Sequence, residues 1–343
     1  MEKLPAEASV RESMTRRLLR RAVATGSIEL PAVPGMLDEY MTMCADLFAS
    51  LGVVFNSEEL AHLRGVIDGQ LAEAYRASPR SDIIISYDAP VGLAVNYRVS
   101  ARWSTVEQAY NNWVATRQPP LFGTEPDARV VALAGEAGTP AGCPVLDIGA
   151  GTGRNSLALA RRGHPVDAIE MTEKFAEAIA DEAQREGLDV RVLQRDVFER
   201  RDDLRTDYGL ILLSEVVSDF RTTDQLRQLF ELAANCLAPG GNMVFNVFLP
   251  RGGYVPDDAA RQLGQQCYTS VFTAAELTEA ASQLPLYLVA DDSVYDYEKT
   301  HLPAESWPPT SWYAGWVAGQ DVFDLPREDS PIEMRWLVYR KSR

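Results

Sequence analysis

The stretch Pro144-Val145-Leu146-Asp147-Ile148-Gly149-Ala150-Gly151-Thr152-Gly153-Arg154-Asn155-Ser156 decides how the chain reads. An apolar run carrying one carboxylate breaks into three alternating glycines and then a helix start. Val145, Leu146 and Ile148 predict a short strand buried on both faces, and a helix is expected over 156–162. Between them, Gly149, Gly151 and Gly153 let the backbone turn sharply and approach a ligand, because glycine enters left-handed conformations at little steric cost. Strand, glycine turn and helix N-terminus together outline a nucleotide-type site.

Downstream the pattern repeats with short connections. Strands are expected over 166–169, ended by Glu170, and over 190–193, followed by Asp196, with a helix over 173–186 closed by Gly187. A strand over 210–213, a helix over 224–237 stopped by Ala238-Pro239-Gly240-Gly241, and a strand over 243–248 follow. A loop from Arg251, a helix opened by Thr273 and Glu276, and strands over 286–289 and 334–339 complete the chain. The alternation predicts an α/β, Rossmann-like doubly wound, mostly parallel sheet of seven strands with the last antiparallel. Ligands of such sheets bind at the carboxyl ends of the strands.

Upstream, apolar residues at three- and four-residue spacing predict helices over 36–51 and from Asn56 to Ser78, the second opened by an Asn56/Glu59 capping box. Strands over 83–87 and 93–99 read as a hairpin, and Ser104 with Glu107 opens another helix. The chain is therefore divided into an N-terminal, mostly helical lobe with a hairpin over 1–118 and the α/β domain over 119–343. The latter carries an aromatic-rich insertion at about 302–330. Its aromatic content argues against disorder.

The chain has 343 residues and a formal net charge of -16, which argues against a nucleic-acid partner, since phosphate neutralisation needs clustered Lys and Arg. Cys44, Cys143, Cys236 and Cys267 show neither metal-ligand spacing nor a disulfide framework. Free thiols suit a reducing, cytoplasmic setting. No apolar run is long enough for a membrane span, and the N-terminus lacks a signal-peptide centre. Neither a metal nor a membrane is expected, and the oligomeric state is left open.

Three carboxylates, Asp147, Glu170 and Asp196, close three successive predicted strands. Side by side at one sheet edge, Glu170 could accept both hydroxyls of a ribose and Asp196 an exocyclic amine of adenine. The turn is G-x-G-x-G rather than the dinucleotide pattern G-x-G-x-x-G, because Arg154 holds the sixth position, and no GK[ST] ending marks a P-loop.

The segments VLDIGAGTGRNSLALARRGHPVDAIE, QRDV, LILLSEVV and LAPGGNMVF resemble the class I S-adenosylmethionine-dependent methyltransferases over 143–249. G-R-N-S after the glycines, R-G-H-x-V before the second strand and SVFTAAEL at 270–277 look most similar to small-molecule members of the tellurite-resistance and thiopurine type. The resemblance implies that Gly149, Gly151 and Gly153 back the methionine and adenosine of S-adenosylmethionine. It implies that Glu170 holds the ribose, Asp196 and the Val197 amide read adenine, Ser214 and Glu215 border the methyl, and Asp147 supports the turn. It extends the cofactor set to Ala150, Asn155, Met171 and Trp113, the last within an aromatic segment, Tyr110–Trp113 and Pro119–Phe122, that would close over the cofactor. S-adenosylhomocysteine would be the product.

Methyl transfer from a sulfonium mainly demands alignment and exclusion of water, so a base is optional. Candidates are Glu215, Asp219, Tyr268 and His301, whereas His164 belongs to the opposite sheet edge. Trp312, Tyr313 and Trp316 could line a small-molecule substrate pocket or pack a short helix onto the sheet; both readings stand. Two alternatives to a methyltransferase remain: a non-catalytic S-adenosylmethionine-binding scaffold, and an NAD-dependent oxidoreductase, which Arg154 disfavours.

Overall fold

The computed structural model describes residues 5–19, 21, 23–90, 94–105, 108, 116, 120–199 and 202–343. Two compact units form, Met1–Ala109 with Asp258–Gln266, and Tyr110–Asp257 with Cys267–Arg343. The division thus comes at 109 rather than 118, in a stretch mostly outside the described residues.

In the first unit, strands β1 (Ala24–Pro31), β2 (Asp82–Ala89) and β3 (Asn96–Arg102) pair antiparallel in the order β1-β2-β3. The expected hairpin is β2 and β3. β1 was not expected: its sequence ATGSIELP offers few apolar residues, yet its burial alternates with period two. Helices Leu37–Ser50 and Ser57–Ala77 supply Cys44, Phe48, Leu63, Ile67 and Leu71, which share one core with Ile83 and Ile85. The Asn56/Glu59 capping box is made at both bonds. The Ser104/Glu107 cap shifts by one residue to Thr105, whose hydroxyl accepts from the Gln108 amide at 3.0 Å; Glu107 lies outside the described residues. The stretch after Arg251 contains a helix, Asp258–Gln266, where a loop was expected. Its glutamines anchor it in this unit: Tyr75 donates to Gln265 at 2.7 Å, and the Gly35 amide donates to Gln262 at 2.7 Å.

The second unit is built on a seven-stranded sheet of β4 (Val145–Ile148), β5 (Val166–Glu170), β6 (Val190–Gln194), β7 (Tyr208–Leu213), β8 (Leu237–Pro250), β9 (Leu286–Ser293) and β10 (Ile332–Lys341). The order is β6-β5-β4-β7-β8-β10-β9, with β10 antiparallel to both neighbours. This is the predicted Rossmann-like sheet with its last strand reversed. Both faces are covered, which is why the central strands read as continuous apolar runs. One face packs Leu146, Ile148, Leu213 and Phe245 beneath helices Thr223–Cys236 and Ala274–Ala281. The other packs Val145, Leu212, Val244 and Trp336 with helices Ala128–Glu136 and Val294–His301. Each such side chain, fully buried, contributes about 1.5–3 kcal/mol. No helix among the described residues is long and apolar enough to cross a membrane.

Candidate functional site

Parallel register brings the ends of β4, β5, β6 and β7 to one sheet edge. Ile148 pairs with Ile169, Glu170 with Gln194, and Asp147 with Leu212, so the residues that follow these strands emerge side by side. The turn after β4 is tied down by the Gly149 and Ala150 amides, which donate to the Ile169 carbonyl at 2.8 and 3.0 Å. Gly149, Gly151 and Gly153 have φ of +71°, +55° and +83°, the left-handed region that glycine tolerates. At Gly149 any Cβ would also strike the Val216 side chain.

Glu170, 6 % exposed, reaches back to this turn. Its Oε2 accepts the Gly151 amide at 2.8 Å and its Oε1 the Thr172 amide at 2.7 Å. Burial raises its pKa, while the bonds from Thr172 and Gly151 oppose the rise. The Thr172 hydroxyl and the Met171 amide act on it in the same sense, so the carboxylate is held firmly at the edge of the turn. Asp196 accepts the Phe198 amide at 2.8 Å through Oδ1, leaving Oδ2 without a donor among the described residues. Met171 is 42 % exposed beside Glu170 in the chain, whereas Val197 is buried. The Phe122 ring covers the turn, 3.6 Å from where a Cβ on Gly151 would stand, and packs edge-on against Phe175.

Asp147 lies behind the turn, where the Ser156 hydroxyl donates to it at 2.5 Å. Burial pushes Asp147 up to about 7, with the Ser156 bond opposing. Arg154 is buried too, and its guanidinium meets Asp127 at 2.7 Å and Glu215 at 3.0 Å. Burial disfavours its charge, but Asp127 and Glu215 outweigh that and raise its pKa. The sixth position of the glycine motif is therefore an internal ion pair. Asn155 is spent in the same way, bonding Asp127 reciprocally at 2.8 and 2.9 Å. Asp127 does not cap its own helix; the amides of Ala128 and Arg129 donate instead to Glu298, at 2.8 and 3.2 Å. Burial, reinforced by Asp127, pushes Glu298 up to about 7.

At the end of β7, Ser214 presents a buried hydroxyl with no partner among the described residues. Glu215 follows with φ of 62°, an uncommon conformation for a residue other than glycine. Its amide donates to Asn246 at 2.7 Å. Burial pushes its carboxyl up to about 7, with Arg154 opposing.

The other expected site residues are dispersed. Tyr313 and Trp316 are buried, Trp316 edge-on to Phe248 and donating its indole N–H to the Tyr268 carbonyl at 3.2 Å. Trp312 is partly buried against both. Two aromatic residues of the insertion, Tyr313 and Trp316, are thus core residues, yet the Tyr313 hydroxyl has no partner among the described residues. Tyr268 has φ of 54°. His301 is exposed, stacked on Tyr297 of its own helix with Nδ1 at 2.8 Å from the Tyr297 carbonyl, and so is not brought to the carboxylates. His164 is buried with Nδ1 at 3.0 Å from the Cys143 carbonyl, ahead of β4 and β5. Trp113 lies outside the described residues. Asp127, Asn246 and Glu298 were not anticipated; only Asn246, a lone amide within an apolar strand, left a local signal.

Residues 145–241, from β4 into β8, match the family model of a methyltransferase domain. No curated protein sequence shows significant similarity to the chain. Solved structures with a similar chain trace include a geranyl diphosphate methyltransferase in complex with S-adenosylmethionine, at 17% identity and TM-score 0.49, over 62% of this chain and 84% of that one. A protein of Galdieria sulphuraria described as a proposed sarcosine dimethylglycine methyltransferase has 17% identity and TM-score 0.49, over 69% and 98%. The geranyl diphosphate C-methyltransferase of Streptomyces coelicolor A3(2) has 14% identity and TM-score 0.48, over 62% and 80%.

Proposed function

We propose that the α/β unit binds S-adenosylmethionine along the edge formed by β4, β5 and β6 and directs its methyl group onto a small-molecule acceptor. The observation that carries this reading is Glu170: a buried carboxylate at the end of β5, bonded to the glycine turn through Gly151, with the open Oδ2 of Asp196 one strand further along the edge. That pair of acceptors suits the vicinal hydroxyls of a ribose and the amino group of adenine. The match of residues 145–241 to a methyltransferase-domain model supports the same assignment. The unpartnered Ser214 hydroxyl, on the other side of β4, suits the methionine end.

S-adenosylmethionine, when bound, supplies an already activated methyl on a sulfonium. The protein therefore has to orient and dry the reacting pair. Glu170 and Asp196 fix one end, the glycine turn lets the backbone approach, and Phe122 covers the turn. Positioning of this kind can lower a barrier by about 7–11 kcal/mol, whereas a general base adds about 10²–10⁴-fold. The acidic chain suits a small acceptor better than a nucleic acid, and four cysteines outside any disulfide suit a cytoplasmic setting. The test is a mass-spectrometric comparison of metabolites from cells with and without the protein, fed isotopically labelled methyl donor. A labelled product that depends on the protein is expected. Cofactor binding without any such product would instead favour a sensor or scaffold.

A further inference from the structure

Several unsatisfied polar groups gather just beyond the end of β7, beside Asn246 within β8. Arg154 engages Oε1 of Glu215, and Oε2 accepts no hydrogen bond among the described residues. Asn246 must turn its oxygen to the Glu215 amide, which fixes its Nδ2 as a donor, and that donor is buried without a partner. The Tyr313 hydroxyl is likewise buried and unpartnered, within electrostatic reach of Glu215, Arg154, Asp127 and Glu298. Leaving a buried donor unmatched costs about 1–3 kcal/mol, so these groups are expected to meet a ligand or an ordered water. Glu215 also holds its place in a left-handed conformation, stabilised by Asn246 on one side and Arg154 on the other. A strained residue held from two sides is a recurrent mark of functional positions. Its side chain keeps 12% of its surface open, while Arg154 keeps 7% and Asp127 1%. It is thus the most accessible member of the ion-pair group.

We propose that this cluster is the acceptor subsite and that it takes a hydroxyl group. The hydroxyl oxygen accepts from Asn246 Nδ2 and the Tyr313 hydroxyl, and its proton faces Oε2 of Glu215. The proposal rests on the methyl donor lying at the glycine turn. A hydroxyl suits the set because it both donates and accepts. An aliphatic amine is protonated at neutral pH, and in that form has only donors and would leave Asn246 unmatched; a thioether brings no proton for Glu215. In the transfer, the hydroxyl proton passes to Glu215, and the electron pair this frees on the oxygen forms the new C–O bond as the sulfonium C–S bond breaks with its electron pair remaining on sulfur. The products are a methyl ether and S-adenosylhomocysteine. Asn246 and Tyr313 would stabilise the oxygen as it loses its proton, and Arg154 with Asp127 would hold Glu215 in position.

The test uses intact protein carrying glutamate labelled with carbon-13 at the carboxyl carbon, saturated with S-adenosylhomocysteine and titrated with phenol or toluene. The Glu215 resonance is the one missing from Glu215→Gln. Phenol should shift this resonance and its pH midpoint, and toluene should not. Tyr313→Phe should weaken the phenol response about five-fold, the equivalent of one neutral hydrogen bond of about 1 kcal/mol, with affinity for S-adenosylhomocysteine unchanged. A resonance indifferent to phenol, or equally sensitive to toluene, would overturn the hydroxyl subsite and leave the cluster to ordered water. Failure of S-adenosylhomocysteine to bind would instead overturn the cofactor reading on which the proposal rests.

Discussion

Replacing Arg154 by methionine preserves much of its volume and removes the one charge that compensates two buried carboxylates. Arg154 bonds Asp127 at 2.7 and 3.3 Å and Glu215 at 3.0 Å, and these side chains are 7%, 1% and 12% exposed, so solvent screens them little. Breaking a buried pair by removing one partner costs about 3–5 kcal/mol. The loss should depend on pH in a definite direction. Burial already holds the Glu215 carboxyl at about 7 in the folded protein, above its unfolded value of ~4.3. Its contribution to stability is therefore complete below the unfolded value and declines as the pH rises through the folded one. Without Arg154 the folded value climbs further, by about 1.4 kcal/mol for each pKa unit. Urea unfolding of Arg154→Met against the parent should show a deficit of about 3–5 kcal/mol at pH 8, reduced by about 1–2 kcal/mol at pH 5.5, where Glu215 is protonated in both. A deficit under about 1 kcal/mol at pH 8, or an equal deficit at both pH values, would refute the view of Arg154 as the internal counter-charge.

Three further perturbations test neighbouring parts of the structure. Glu298→Ala removes the carboxylate that receives the Ala128 and Arg129 amides; a lost helix cap costs about 0.5–2 kcal/mol, read as faster hydrogen exchange across Ala128–Glu136. Trp316→Ala empties a buried site against Phe248 and should cost about 3–5 kcal/mol in urea unfolding, with cofactor affinity in the surviving folded protein little changed. Gly149→Ala drives a methyl group into Val216 at a φ of +71° and should lower both melting temperature and cofactor affinity, unlike Gly135→Ala in the helix Ala128–Glu136, where the backbone is not left-handed and a Cβ meets nothing within 4 Å.

The strand, turn and acids around Asp147, Glu170 and Asp196 were legible because each depends on residues adjacent in the chain. A buried strand announces itself by an apolar run, a turn by its glycines and a capping box by a three-residue spacing, as Asn56/Glu59 and Thr273/Glu276 both bear out. What escaped depends on partners far away in sequence. Glu298 becomes a cap only because its helix lies across the start of Ala128–Glu136, and Asp127 serves Arg154 rather than its own helix. Arg154 was legible only as a departure from a dinucleotide motif; the sheet turns it inward as an ion pair. The helix Asp258–Gln266 left too few apolar residues to show a stripe, and β1 likewise. Trp312, Tyr313 and Trp316 illustrate the converse: their spacing allowed either a pocket or a packed helix, and the burial of Tyr313 and Trp316 puts most of their surface in the core.

The central claim is that the edge of β4, β5 and β6 holds S-adenosylmethionine through Glu170. Isothermal calorimetry on the intact protein tests it most directly, with S-adenosylmethionine, S-adenosylhomocysteine and NAD as titrants and Glu170→Ala alongside. The account predicts binding of the first two, none of NAD, and loss of binding in the folded Glu170→Ala variant. Binding of NAD in their place, or S-adenosylmethionine affinity undiminished by Glu170→Ala, would contradict it.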